Sequence, residues 1–243
     1  MKKYLTSILL LVAVFSYSQE NEIQEEQNSY YEVNLAYSRP TGEYKFWPID
    51  ENKGYALSGI NINLTAKNYL SSFWGFKYSA NIIVNPVYKS FYYREANGVT
   101  STLRIGTWKN LNFSLGPIFH TKNINNSTYF EISTQLGINS LNRPKVNYTE
   151  YENGQVHSAN TIKNGFGIGF SIIPEVAFYT KLSSEKYLKV FFNYFLAPSY
   201  TEYKSQFLFY KEFENEMIPV YVVNSYEESI VISAFNLGVG ISF

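Results

Sequence analysis

The chain has no cysteine, only two histidines and two methionines among 243 residues, and no charge surplus, with 20 basic against 20 acidic side chains. The missing cysteines exclude a disulfide framework, a thiolate zinc site and a lipid anchor on an N-terminal Cys. His120 and His157 by themselves are too few and too far apart to promise a transition-metal site. A zero formal charge lacks the clustered basic surplus of a nucleic-acid binder, so no nucleic-acid partner is expected. Beyond the first twenty residues no apolar run is long enough for a membrane-spanning helix. What the chain has in quantity is aromatic surface: 23 Tyr, 19 Phe and 3 Trp, or 19% of all residues. That excludes bulk disorder, and the length suits one barrel or sandwich, or two small domains.

Met1-Lys2-Lys3 followed by the apolar stretch Leu5–Phe15 and by Ser16-Tyr17-Ser18 has the three-part form of a secretory signal peptide, cleaved before Gln19. The apolar stretch is too short for a spanning anchor, which needs roughly 17–25 residues. The expected organisation is therefore a signal peptide over 1–18, a polar, acidic leader over 19–29, and one domain over 30–243.

That domain alternates apolar and polar residues from one segment to the next. Tyr31, Val33, Leu35 and Tyr37 alternate with Glu32, Asn34, Ala36 and Ser38, and Leu237, Val239, Ile241 and Phe243 close the chain in the same rhythm. Period two marks strands with one apolar and one polar face. A soluble sandwich or barrel and a membrane barrel both meet this description, and glycine helps to separate them. Gly59, Gly75, Gly106, Gly116, Gly137, Gly165, Gly167, Gly169, Gly238 and Gly240 share the parity of the polar face. Small residues there suit a narrow lumen, with the apolar rows turned outward to lipid. Short connections at 67–72, 122–127 and 182–186 contrast with long ones at 39–53, 89–97, 141–164 and 201–228, the turn-and-loop asymmetry of outer-membrane barrels. The fold expected is an all-β, antiparallel up-and-down transmembrane barrel. Its eight strands fall near 30–38, 55–66, 73–88, 98–121, 128–140, 164–181, 186–200 and 229–243. Ten strands are the alternative if Trp108-Lys109-Asn110 turns the chain and Asn153-Gly154 tips a hairpin.

The C-terminal Asn236–Phe243 strand, ending in Phe243, looks like the terminal signal that the barrel assembly machinery reads as an added strand. The signal ending at Gln19, the strand Leu111–Pro117, the segment Gly165–Phe170 and Leu237–Phe243 together resemble the small outer-membrane β-barrel proteins of Bacteroidota, the PorT-like group. The resemblance implies an eight-stranded barrel in the cell outer membrane and carries no catalytic motif, substrate or cofactor.

Candidate chemistry is sparse. Glu32, Lys77, Arg104, Glu131, Glu175, Lys181 and Lys189 have lumenal parity. They form either an ion pathway or a salt-bridged filling, and an eight-stranded interior is just wide enough for its own side chains. His120, with Ser114 or Glu131, is the only support for a lipid hydrolase, and a hydrogen-bonded lumen histidine is the plainer reading; no enzyme activity is expected. His157 reads as a solvated loop residue, and Glu150 and Glu152 offer only an unsupported calcium site. The run Gly165, Gly167, Gly169 lies within a strand pattern and is no phosphate loop. Outward Tyr31, Trp74, Phe130 and Phe243 at one end, and Tyr37, Phe166 and Tyr200 at the other, read as interfacial anchors. The aromatic stretch 201–228, where Gln206–Tyr210 and Val220–Val223 could pair, suggests a contact surface for protein or glycan. The expectation is a monomeric, non-enzymatic barrel with a filled lumen, in contact with outer-membrane lipid; a small channel for ions or solutes is the alternative.

Overall fold

The computed structural model describes residues 29–45, 56–88, 99–121, 127–152, 155–163, 165–183, 186–213 and 216–243. The expected signal peptide, all but the last residue of the leader, and Asn153-Gly154 lie outside them. The strands are β1 (Ser29–Pro40), β2 (Gly59–Tyr69), β3 (Trp74–Pro86), β4 (Val99–Ile105), β5 (Thr107–His120), β6 (Thr128–Asn142), β7 (Val146–Glu152), β8 (Gln155–Ile162), β9 (Phe166–Lys181), β10 (Tyr187–Phe213) and β11 (Glu216–Ser242).

Eight of them close into an antiparallel ring in the order β1-β2-β3-β5-β6-β9-β10-β11, with β11 returning to β1. The seam is hydrogen-bonded to its end: the Tyr31 and Phe243 backbones exchange bonds of 2.8 and 2.9 Å. Closure matters because a ring leaves no row of unpaired backbone groups within its height. Alternation then sets the faces. Val33, Leu35, Phe113, Leu136, Ile138, Phe170, Phe192, Leu237 and Val239 look out, Phe170 at 77% exposure, while Asn34, Asn63, Asn81, Asn112 and Asn193 are buried inside. This is the reverse of a soluble protein, whose apolar face is the buried one.

The ring is lopsided. β4, β7 and β8 continue the walls of β5, β6 and β9, and together with the upper halves of β10 and β11 they pair as β11-β10-β8-β7-β4 above it. β1 and β3 stop short, each in a proline, Pro40 and Pro86, which cannot donate to a ladder. The molecule thus has a tall wall on five strands and a low wall on three.

Several expectations change in detail. The 98–121 segment divides at Gly106, where β4 leaves the ring, and not at Trp108-Lys109-Asn110; Trp108 sits buried within β5. The 141–164 connection carries β7 and β8, a hairpin built on the ring and not two further ring strands. The 201–228 connection is the top of the β10–β11 hairpin, with Gln206 opposite Val223 and Tyr210 opposite Pro219, the pairing its alternation suggested. β2 begins later and runs further than expected, through Lys67 to Tyr69, so the turn to β3 is tighter. Its Ser71 side chain accepts the Trp74 amide at 3.2 Å.

Candidate functional site

Among the described residues the lumen is the one place where charge is buried in quantity, and its contents are layered. Strand parity sends Glu32 of β1, Lys67 of β2, Lys77 of β3, Glu131 of β6, Glu175 of β9 and Lys189 of β10 to the inside near the short-turn end, and all six are buried. They form a closed cycle of alternating sign. Lys67 reaches Glu32 at 2.5 Å and Glu131 at 3.0 Å; Lys77 reaches Glu131 at 3.4 Å and Glu175 at 2.6 Å. Lys189 completes it with Glu175 at 2.7 Å and Glu32 at 3.0 Å. Each ammonium bridges two carboxylates and each carboxylate bridges two ammoniums, so three cations meet three anions with none left over. Burial of unpaired charge is expensive, and this arrangement avoids it.

Neighbouring groups take up the remaining lone pairs. The Tyr179 hydroxyl donates to Glu32 at 2.8 Å, Tyr69 donates to Glu131 at 3.2 Å, and Asn193 Nδ2 donates to Glu175 at 3.2 Å. The Lys67 ammonium also lies 4.1 Å from the centre of the Tyr179 ring, a cation–π contact. Below the charges Tyr129 stacks on Tyr179 at 4.4 Å and meets Tyr187 edge-on, closing the short-turn mouth with aromatic rings.

Above the charges lies an amide layer. Asn34 donates to Asn63, Asn63 to Asn81 and Asn81 to Asn112, carrying hydrogen bonds across successive strands, and Asn112 donates past β6 to Ser171 of β9. Above that the lumen turns apolar: Ile83, Trp108, Leu141, Phe195, Ile230 and Ile232 pack around Tyr44. Tyr44 arrives on the short 3-10 turn Gly42–Tyr44, which bends into the mouth with Gly42 at φ +56°, a left-handed conformation suited to glycine. Its hydroxyl donates to Asn85 at 3.0 Å and accepts from Asn110 at 3.3 Å.

Arg104 and Lys181 depart from their expected places. Arg104 stands on β4, above the ring and exposed, because the chain leaves the barrel at Gly106. Lys181, at the very end of β9, is exposed past the mouth. Lys67 takes the place they were expected to fill, and it was hidden in a stretch that reads as a polar turn. Its signal was parity: Asn61, Asn63, Thr65 and Lys67 are one inward row. Tyr44 had no such signal, since it belongs to a connection.

Ser114 and His120 are not brought together. They sit six residues apart on β5, roughly 20 Å along a strand. Ser114 donates to Gln135 at 3.2 Å, His120 packs its ring 4.2 Å from Tyr69, and Glu131 is engaged by lysines. In the tall wall, Glu150 accepts from Ser158 and Tyr148, each at 2.6 Å, which holds its carboxyl below the usual range; Glu152 lies across the strand pair from Gln155, and His157 is exposed on β8. Where the wall meets the ring, Arg143 pairs with Glu228 and lies 4.0 Å over Tyr203, which stacks on Tyr226.

No family model matches the chain, and no curated protein matches it. Solved structures do. Ail, the attachment invasion locus protein of Yersinia pestis, is 14% identical over 88% of this chain and 97% of its own, with a TM-score of 0.39. OprG, an outer membrane protein of Pseudomonas aeruginosa, is 12% identical over 89% and 96%, with a TM-score of 0.45. Neisserial surface protein A is 9% identical over 89% and 96%, with a TM-score of 0.41. The barrel itself rests on this chain's own closed strand pairing.

Proposed function

We propose that the chain is an exported, integral outer-membrane β-barrel protein that conducts no solute and acts through its tall extracellular wall, as a structural, adhesive or accessory component. The observation that carries this reading is the pairing of an apolar exterior with a lumen filled from end to end by tyrosines, a neutral charge cycle, an asparagine layer and the Tyr44 plug. A greasy belt on a closed sheet is stable only in hydrocarbon, and a path for ions would have to break both the charge cycle and the apolar plug. The long connections then lie outside the cell and the short turns in the periplasm, with the Tyr31–Phe243 end of the seam on the periplasmic side.

The test is conductance. The mature protein, refolded from urea into lipid bilayers, is expected to give no channel steps, while Lys67→Ala combined with Tyr44→Ala opens measurable conductance. Steady conductance of the unaltered protein would overturn the filled-lumen reading in favour of a small pore.

A further inference from the structure

The tall wall ends in an edge, and its geometry is specific. Along the seam Tyr31 and Phe243 exchange backbone hydrogen bonds, and Thr41 donates to the Ser233 carbonyl at 2.8 Å. Odd-numbered residues of β11 therefore point their N–H and C=O toward β1, and even-numbered ones toward β10. The β10–β11 register runs without a shift from Tyr187–Ser242 to Phe213–Glu216, so this division holds to the top of the hairpin. β1 ends at Pro40, and above Ser233 the structure pairs no other described strand with this flank. Tyr221, Val223, Ser225, Glu227 and Ser229 thus direct a row of donors and acceptors sideways. Pro219 agrees with the assignment: it is odd-numbered, and a proline is tolerated where its missing N–H would face a free edge and not the partner strand. Residues 221–227 are exposed on both faces, with Tyr221 at 61% and Val223 at 58%.

Long edges of this kind are usually blunted by lysine or by a bulge. Between Pro219 and Glu227 this one has neither, only Val-Tyr-Val-Val-Asn-Ser-Tyr. We propose that the upper edge of β11, Tyr221–Ser229, is a strand-acceptor site that takes an extended segment of a partner polypeptide as the next strand, in line with β1. The inference rests on the outer-membrane orientation given above.

Topology favours a foreign strand over a second copy. β11 and β4, the two edges of the wall, both run toward the barrel, as the alternating directions of β11, β10, β8, β7 and β4 require. Copies sharing one membrane orientation can join these edges only in parallel, the weaker pairing. An incoming antiparallel strand would begin beside Glu227 and rise past Val223 and Tyr221. That order selects a basic residue at its start, followed by β-branched or aromatic residues.

Hydrogen exchange and peptide binding test this on the full mature barrel in lipid nanodiscs. The amides of Val222, Asn224 and Tyr226 are expected to be protected, and those of Tyr221, Val223 and Ser225 to exchange freely. A fluorescent eight-residue peptide, Lys followed by alternating Thr and Val, is expected to bind and to protect the odd amides. Methylating alternate peptide nitrogens on its bonding edge, or making Val223→Pro with Ser225→Pro, should weaken binding about tenfold or more. Odd amides already protected without peptide would mean that the chain covers its own edge, and would overturn the proposal. So would absence of peptide binding, binding indifferent to N-methylation, or protection that appears only as copies self-associate. A chain that fails to enter nanodiscs overturns the outer-membrane reading as well; one that enters and fails the other tests overturns this inference alone.

Discussion

Lys67 shows how much one side chain can hold in place. It is fully buried, joins Glu32 of β1 to Glu131 of β6 across the lumen, and rests on the Tyr179 ring. Lys67→Met would leave Glu32 and Glu131 with one ammonium each, Glu175 with its two, and the cycle with a net negative charge. Removing one partner of a buried pair costs about 3–5 kcal/mol. The variant is expected to unfold at lower urea in lipid vesicles by roughly that amount, and adding Glu131→Gln is expected to recover part of the loss. A double variant no more stable than the single would show that the charges do not act as a set. Glycine gives a second contrast. A Cβ on Gly116 would run into the Thr134 carbonyl and press on the Gln135 Cα at 2.8 Å, both backbone atoms of the next strand. A Cβ on Gly106 would meet nothing nearer than 3.5 Å. Gly116→Ala is therefore expected to slow or prevent barrel closure, while Gly106→Ala leaves it unchanged, as a heat-dependent gel shift would report. The need for glycine at 116 comes from the close approach of a neighbouring backbone, a stricter demand than lumenal crowding.

At the scale of the element, the tall wall depends on local hydrogen bonds more than on burial. The β7–β8 hairpin is half-exposed, and Glu150 ties its strands together by accepting from Ser158 of β8, while Tyr148 of its own strand supplies a second donor. Because those donors lower the folded carboxyl's pKa, their contribution is present above the unfolded carboxyl value of about 4.3 and is lost as pH falls through the lower folded value. Amide exchange in β7 and β8 is thus expected to quicken selectively below about pH 4, while β5 and β6 in the ring stay protected. Glu150→Gln should remove that pH step. A step of equal size in the variant would assign it to another group.

For the whole molecule the governing quantity is the environment of the outer face. Phe170 and Leu237 lie within the ring, on the strands flanking β10, and are among its most exposed side chains. Phe170→Arg is expected to destabilise the barrel in a bilayer by about 2–4 kcal/mol, the range for a cation near the midplane of an outer-membrane barrel. The same change at Glu202, at the upper rim of the ring opposite Phe166, should cost little. Equal effects at the two positions in vesicle unfolding would argue against a hydrocarbon surround.

Period-two alternation was enough to identify an all-β chain and to sort Phe170 and Leu237 onto one face and Glu32, Lys77, Glu131, Glu175 and Lys189 onto the other, because side-chain direction along a strand is a local property. The parity of the glycines and the short-turn, long-loop asymmetry turned the apolar face outward and favoured eight strands over ten. The hairpin of Gln206–Tyr210 with Val220–Val223 was legible for the same reason. Where a strand stops is less local. The exit of β4 at Gly106, the reach of β2 to Lys67 and the rise of β7 and β8 above the ring depend on what the neighbouring strand offers as a partner. Tertiary structure alone decided that the buried charges balance as a cycle, because Lys67, Glu131 and Glu175 lie on different strands and meet only when the sheet closes on itself. It alone placed Tyr44 in the mouth, since a residue in a connection has no strand periodicity to fix its direction.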